Sequence, residues 1–164
     1  MMDAAQLDAF LRARRVAVLS IPRAGKPPLC TPVWYDWDGR CFRVHVEDTS
    51  AKARAIARFG PAAPVSLVVQ SEVPPYRYAI AYGSAVLGPA GDAALRTAVA
   101  RRYFGRFAGD TYVAQERARG VEGPKLRTIE IVPERFVTHD FRPEAGWFGR
   151  LYFALWRWIR PVPA

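Results

Sequence analysis

TPVWYDWDGRCFRVHVEDTSAK, residues 31–52, reads as a strand, a tight turn, a second strand and the start of a helix. Asp38-Gly39 carries the turn, because a two-residue hairpin loop needs positive φ at both central positions, which Asp and Gly tolerate. A turn there sets Trp37 opposite Arg40, Tyr35 opposite Phe42, Val33 opposite Val44 and Thr31 opposite Val46. Side chains alternate along a strand, so Val33, Tyr35, Trp37, Phe42, Val44 and Val46 share one apolar face suited to a core. Cys30, Pro32, Trp34, Asp36, Cys41, Arg43, His45 and Glu47 share the other, whose aromatic and polar mixture suits a ligand or a partner.

Upstream of this stretch, residues 3–15 have the spacing of an amphipathic helix, with Asp3 as N-cap and Leu7, Phe10, Leu11 and Arg14 on one stripe. Residues 16–21 form a short apolar strand, ended by Pro22 and the turn-forming pair Ala24-Gly25. Downstream, Thr49 or Ser50 caps a helix running to Phe59, which Gly60 and Pro61 stop. Residues 64–70 are apolar and β-branched, and residues 76–87 form a long strand in which Gly83 marks a bulge or bend. Residues 88–91 make a turn, Asp92 caps a helix to about Phe104, and a further helix covers 111–119. Residues 125–132 alternate strongly and continue past Pro133 through 136–141. Most connections are too short for parallel crossovers, so the pattern predicts a mainly β chain, an antiparallel barrel with helices outside it.

A chain of 164 residues can bury a core without disulfides or metals. Its hydrophobic content of 51% argues against global disorder. The 24 basic and 15 acidic residues leave +9, which suits an anionic partner: a phosphorylated cofactor, nucleic acid or acidic lipid. In the hairpin register Cys41 faces Asp36 and Cys30 lies six residues further along, roughly 20 Å away at a strand's rise per residue. Disulfide geometry does not reach that far, so free thiols and a reducing compartment are expected. Asp3 and Asp8 do not fit the basic opening of a secretory signal, and the apolar run 151–156 is too short to span a bilayer. A cytoplasmic location is the default expectation.

Chemical motifs are sparse. Only two histidines, His45 and His139, are present, without partners at metal-ligand spacing. GxSxG, GxGxxG after a strand and GxxxxGK[ST] are all missing, which sets aside the nucleophile elbow, the common dinucleotide fingerprint and the P-loop. Chemistry then rests on a bound cofactor or on a site without a sequence signature. The one constellation with a physical rationale is Thr49-Ser50-Ala51-Lys52. A helix start offers unpaired N–H groups, and a hydroxyl beside it adds a donor. Lys52 sits at the unfavourable, positive end of the helix dipole and shares a stripe with Ile56 and Phe59, opposite Arg54 and Arg58. A phosphate would answer that arrangement. The alternative is that Glu47 or Asp48 neutralises Lys52 and Ser50 is simply a cap.

Thr31-Pro32-Val33-Trp34-Tyr35, the Trp37-Asp38-Gly39 hairpin, the Ser50-x-Lys52 helix start and Pro75-Tyr76-Arg77-Tyr78 leading to Gly83 together resemble the flavin and deazaflavin oxidoreductases of the pyridoxamine 5′-phosphate oxidase-like superfamily. The resemblance spans residues 16–141. It implies a split antiparallel β-barrel, a homodimer, and FMN or the deazaflavin coenzyme F-420 bound in a groove between subunits. It also implies that Thr49, Ser50 and Lys52 hold the cofactor phosphate, that Thr31, Pro32, Val33 and Trp34 wall the ring, and that His45 and Tyr78 stand near the flavin. Ala51 replaces the arginine of the oxidases' Ser-Arg-Lys, and the oxidases' phosphate motif on the second strand has no counterpart in residues 29–34. The deazaflavin branch therefore fits better than oxidation of pyridoxine phosphate, and F-420 is the first expectation. No side chain is assigned a catalytic role, because hydride transfer belongs to the cofactor. Arg77, Tyr76 and Tyr82 are candidates for a substrate side or for strand packing.

Residues 1–142 are thus expected to form the barrel and residues 143–164 a separate aromatic and basic tail. In GWFGRLYFALWRWI, residues 146–159, Phe148, Leu151, Tyr152, Leu155, Trp156 and Ile159 form a helical stripe accompanied by Arg150, Arg157 and Arg160. Such a stripe needs a cover, by the barrel, by a second subunit or by shallow membrane contact. Two other functional classes stay open: a non-catalytic carrier or sensor binding the same cofactor, and a basic nucleic-acid-binding barrel. The last is weakest, because no surface interleaves arginines with exposed aromatics.

Overall fold

The computed structural model describes residues 1–90, 92–121, 125–142 and 146–159. Pro27, Pro28 and Pro32 lie in one strand, β2 (Lys26–Val33), and a proline cannot donate to a ladder on both sides. That strand accordingly lies at a sheet edge, paired only with β1 (Ala17–Arg23). The other strands are β3 (Asp36–Trp37), β4 (Phe42–Glu47), β5 (Ala63–Gln70), β6 (Arg77–Ala90) and β7 (Leu126–Asp140). All pairings are antiparallel, in the order β2-β1-β5-β6-β7-β4-β3. This is the mainly β antiparallel architecture the sequence predicts.

The core is the apolar face of the curled sheet. Leu19, Ile21, Tyr35, Phe42, Leu67, Ile129 and Ile131 are almost fully buried, with Phe10 and Leu11 of α1 (Ala4–Arg12) and Ile56 of α2 (Ala51–Ala57) closing it. Asp3 caps α1 through a reciprocal box with Gln6, and Ser50 caps α2 by accepting from Ala53 N–H at 3.2 Å. Gly83 is needed where β6 crosses a bulge in β7: Tyr82 pairs with Arg135 and Gly83 with Pro133. A Cβ there would come within 2.0 Å of the Val132 carbonyl oxygen.

The opening stretch is rearranged relative to the sequence reading. Residues 31–37 are not one strand: Thr31 pairs with Leu19 on β1, and only Asp36 and Trp37 pair with β4. The turn is longer, with Trp37 opposite Phe42 and Asp36 opposite Arg43. The Asp38 carboxylate accepts from the N–H groups of Arg40 and Cys41, both at 2.8 Å, so it stays out of the positive-φ region and only Gly39 enters it. These hydrogen bonds hold its pKa down at about 2. Moving the pairing from Tyr35–Phe42 to Trp37–Phe42 preserves parity, so all six expected core residues remain buried.

Other boundaries move as well: α1 stops at Arg12 where a helix to residue 15 is expected, α2 at Ala57 where one to Phe59 is expected, and β1 runs through Pro22 to Arg23. β6 runs on to Ala90 where a turn at 88–91 is expected, residue 91 lying outside the described residues. The helix expected at 111–119 is α4 (Arg106–Ala118), and it forms a hairpin with α3 (Ala93–Phe104), which Asp92 caps. The tail forms α5 (Gly146–Ile159), on which Trp147, Leu151, Tyr152 and Leu155 are all more than half exposed. Side chains 148, 150, 153 and 156–159, and residues 143–145 and 160–164, lie outside the description. Among the described residues no helix is long and apolar enough to cross a membrane. Both cysteines are unbridged.

Candidate functional site

Where β2 ends and the chain turns toward β3, Pro32, Val33 and Trp34 meet the outward side of β4 and the start of α2. Together with His45, Thr49, Ser50 and Lys52 they line a cavity of about 480 Å³. That volume lies in the range of small-molecule sites. Seven of the nine residues singled out in the sequence thus surround one space. Thr31 and Tyr78 do not line it. Thr31 faces Leu19 on the edge pair, and Tyr78 pairs with His139, their rings stacked at 5.9 Å.

β4 adds Val44, Val46 and Glu47 and β7 adds Leu126, and the facing wall comes from α3 and α4, which contribute Arg96, Val99, Ala100, Tyr112 and Glu116. None of these is a candidate in the sequence reading, which gives only two helices there. The same helices account for Trp34. Its indole stacks on Tyr103 at 5.2 Å and meets Phe104 and Tyr112 edge-on at 4.8 and 5.8 Å. On that side, Trp34 is covered by the chain's own helices.

Polar groups around the cavity differ in how far they are committed. Arg43 shares the outward face of β4 but is held by Asp38 at 2.6 Å, with Glu130 at 3.7 Å and Asp36 at 4.0 Å. It is not a cavity residue. His45 pairs with Thr128 across β4 and β7, and its Nδ1 lies 3.4 Å from the Thr128 hydroxyl. Its Nε2 is buried without a hydrogen-bond partner. Burial lowers the His45 pKa and Arg96 adds to that, against a smaller upward pull from Asp92 and Asp36, so the imidazole is neutral at pH 7. Burial, reinforced by Glu116, raises the pKa of Tyr112 and keeps its phenol protonated. The Ser50 oxygen already accepts the α2 cap bond, which leaves its hydroxyl proton free to donate.

Chemically, the cavity offers apolar and aromatic walls, a neutral imidazole, the hydroxyls of Thr49, Ser50 and Tyr112, and two cations, Lys52 and Arg96, against Glu47 and Glu116. Among the described residues lining it, no nucleophile is hydrogen-bonded to a side-chain base. Such a lining can hold and orient a flat, polar-edged molecule, and it supplies little chemistry of its own.

A conserved hypothetical protein of Mycobacterium tuberculosis has the same fold, with a TM-score of 0.67 at 20% identity over 88% of this chain and 89% of that one. The chain has a split β-barrel fold. A Listeria innocua protein assigned provisionally as a pyridoxamine 5′-phosphate oxidase matches this split barrel with a TM-score of 0.59 at 18% identity, over 82% and 96% of the two chains. An F-420 reductase matches it with a TM-score of 0.53 at 21% identity, over 79% and 94%. At these identities the likeness is one of fold. No family model matches the sequence of the split barrel, and no curated protein matches it significantly.

Proposed function

We propose that this split barrel is an oxidoreductase that binds the deazaflavin coenzyme F-420, or alternatively FMN, in the cavity beside Trp34 and passes hydride to or from a small organic substrate. The observation that carries the reading is convergence: Pro32, Val33, Trp34, His45, Thr49, Ser50 and Lys52, chosen from sequence, line one cavity. Fold likeness to an F-420 reductase supports the choice of cofactor class.

The lining fits such a group. Pro32, Val33 and Trp34 give a flat apolar wall for a ring, and the buried, unpartnered His45 Nε2 offers it a polar contact. Thr49, Ser50 and Lys52 offer hydroxyl and ammonium donors to a phosphate. The cofactor, when bound, supplies the hydride chemistry; the chain binds it, orients it and keeps water from its walls. Thr31 and Tyr78 have no part in this version of the site.

Titration of the purified protein with F-420 and with FMN, followed by absorbance and fluorescence, tests the reading. Micromolar binding that weakens about tenfold or more in Lys52→Ala is expected from the loss of one charge-assisted contact. Absence of binding by either cofactor sinks the proposal. Turnover with candidate acceptors then separates an enzyme from a carrier that only holds the cofactor.

The exposed side chains of α5 belong to the same proposal, as a surface covered by a second copy of the chain in a homodimer. Light scattering of the full chain against one ending at Arg142 reads this directly. Co-sedimentation of the full chain with anionic vesicles would instead favour shallow membrane contact.

A further inference from the structure

Arg96 is only 8% exposed, and one of its two terminal nitrogens is committed: Nη1 donates to the Val121 carbonyl at 2.7 Å. The other, Nη2, is buried without a hydrogen-bond partner. Glu116 lies 3.8 Å from it, near enough to balance charge and too far for a hydrogen bond. His45, which lines the same cavity, also has a buried nitrogen without a hydrogen-bond partner, Nε2. If the Thr128 hydroxyl donates to Nδ1, the neutral ring carries its proton on Nε2, which makes that atom a donor too. Buried donors left unmade are costly, and a native fold keeps them where something else completes them. Both nitrogens belong to residues that line the same 480 Å³ cavity.

We propose that Arg96 Nη2 and His45 Nε2 form a recognition end of the cavity for a conjugated carbonyl edge, a pair of acceptors that can take negative charge. This rests on the cofactor reading and deepens it: the edge is that of the ring's pyrimidinedione, while Lys52 serves the phosphate. A guanidinium beside that edge favours the form of the ring carrying more negative charge. Arg96 is thereby a cofactor-binding residue contributed by α3, and the arginine's tie to Val121 fixes where its free nitrogen points.

Binding of FMN and of riboflavin, which has the ring and no phosphate, separates the two roles. Arg96→Gln is expected to weaken both ligands alike, by about 10- to 100-fold for a lost charge-assisted hydrogen bond. Lys52→Ala should weaken FMN and leave riboflavin unchanged. Arg96→Lys should recover part of the loss, and His45→Gln, which does not touch Val121, should also weaken both ligands. Circular dichroism and melting curves establish that each variant is folded. If Arg96→Gln weakens FMN but not riboflavin, or neither, the edge assignment is overturned while the cofactor reading stands. If wild-type protein binds no flavin or deazaflavin, the cofactor reading fails, and barbiturate then serves as the probe. A rise in melting temperature with millimolar barbiturate in wild type but not in Arg96→Gln upholds the edge site; equal behaviour overturns it.

Discussion

The two ends of α3 use the same residue types to opposite effect. Near its C-terminus, Arg102 Nη2 donates to the Leu11 and Ala13 carbonyls, both at 3.1 Å, and Nη1 lies 3.6 Å from Asp36. The neighbouring Tyr103 hydroxyl donates to the Arg15 carbonyl at 2.6 Å and accepts from Tyr35 N–H at 3.2 Å. The Tyr35 hydroxyl, kept protonated by burial, donates to the Leu11 carbonyl at 2.9 Å. Arg102 Nε is buried there without a hydrogen-bond partner. Six residues earlier, Arg96, a lining residue of the cavity, keeps a buried terminal nitrogen without a hydrogen-bond partner. Donors spent on backbone carbonyls fasten the helix to α1 and the β2–β3 corner; a buried donor left unmade on a cavity-lining residue leaves room for a contact from outside.

The contrast predicts that the fastened end governs stability and the open end governs binding. Tyr103→Ala removes a ring packed on Trp34 and two hydrogen bonds, and should lower the unfolding free energy by about 3–5 kcal/mol in urea titrations. A loss below about 1 kcal/mol would break the comparison. Arg102→Gln should cost about 1.5–3 kcal/mol, since two carbonyls lose a charged donor. If it weakens ligand binding while leaving stability unchanged, the assignment of the two ends is reversed. The smallest effect sharpens the open end. Burial holds the His45 pKa below 6.5 in the folded chain, so the unfolded chain binds the proton more readily. His45 therefore detracts nothing from stability above pH 6.5 and lowers it progressively as pH falls below that value toward the folded pKa. Wild type and His45→Gln should show parallel unfolding free energies above pH 7, with wild type losing more below pH 6.5. Coincident profiles would mean that His45 is solvated.

Local chemistry made much of this legible. Asp3, Ser50 and Asp92 cap the helices where their side chains announce it. The alternation in 33–46 identifies the core face even though the turn is longer than expected, because parity survives a shift of two. Strand partners were less accessible. Thr31 pairs with β1 and not with β4, a choice set by the sheet as a whole and not by the turn at Asp38. Arg96 was illegible for a similar reason: its burial arises only when α3 and α4 close over the barrel, and a sequence window shows just another arginine on a polar helix. Lys52 stood out because it violates a local rule at a helix start, and a local violation is visible locally.

His45 and Thr128 are 83 residues apart, and β4 finds its inner neighbour only in β7. Pairings across such separations close large loops and form slowly compared with hairpins. The stretch 31–52 is synthesised early, yet the facing wall of its cavity waits for α3 and α4, and β4 gains its long-range partner only when β7 has emerged. During synthesis the chain therefore acquires its fold in stages and its capacity to bind almost last.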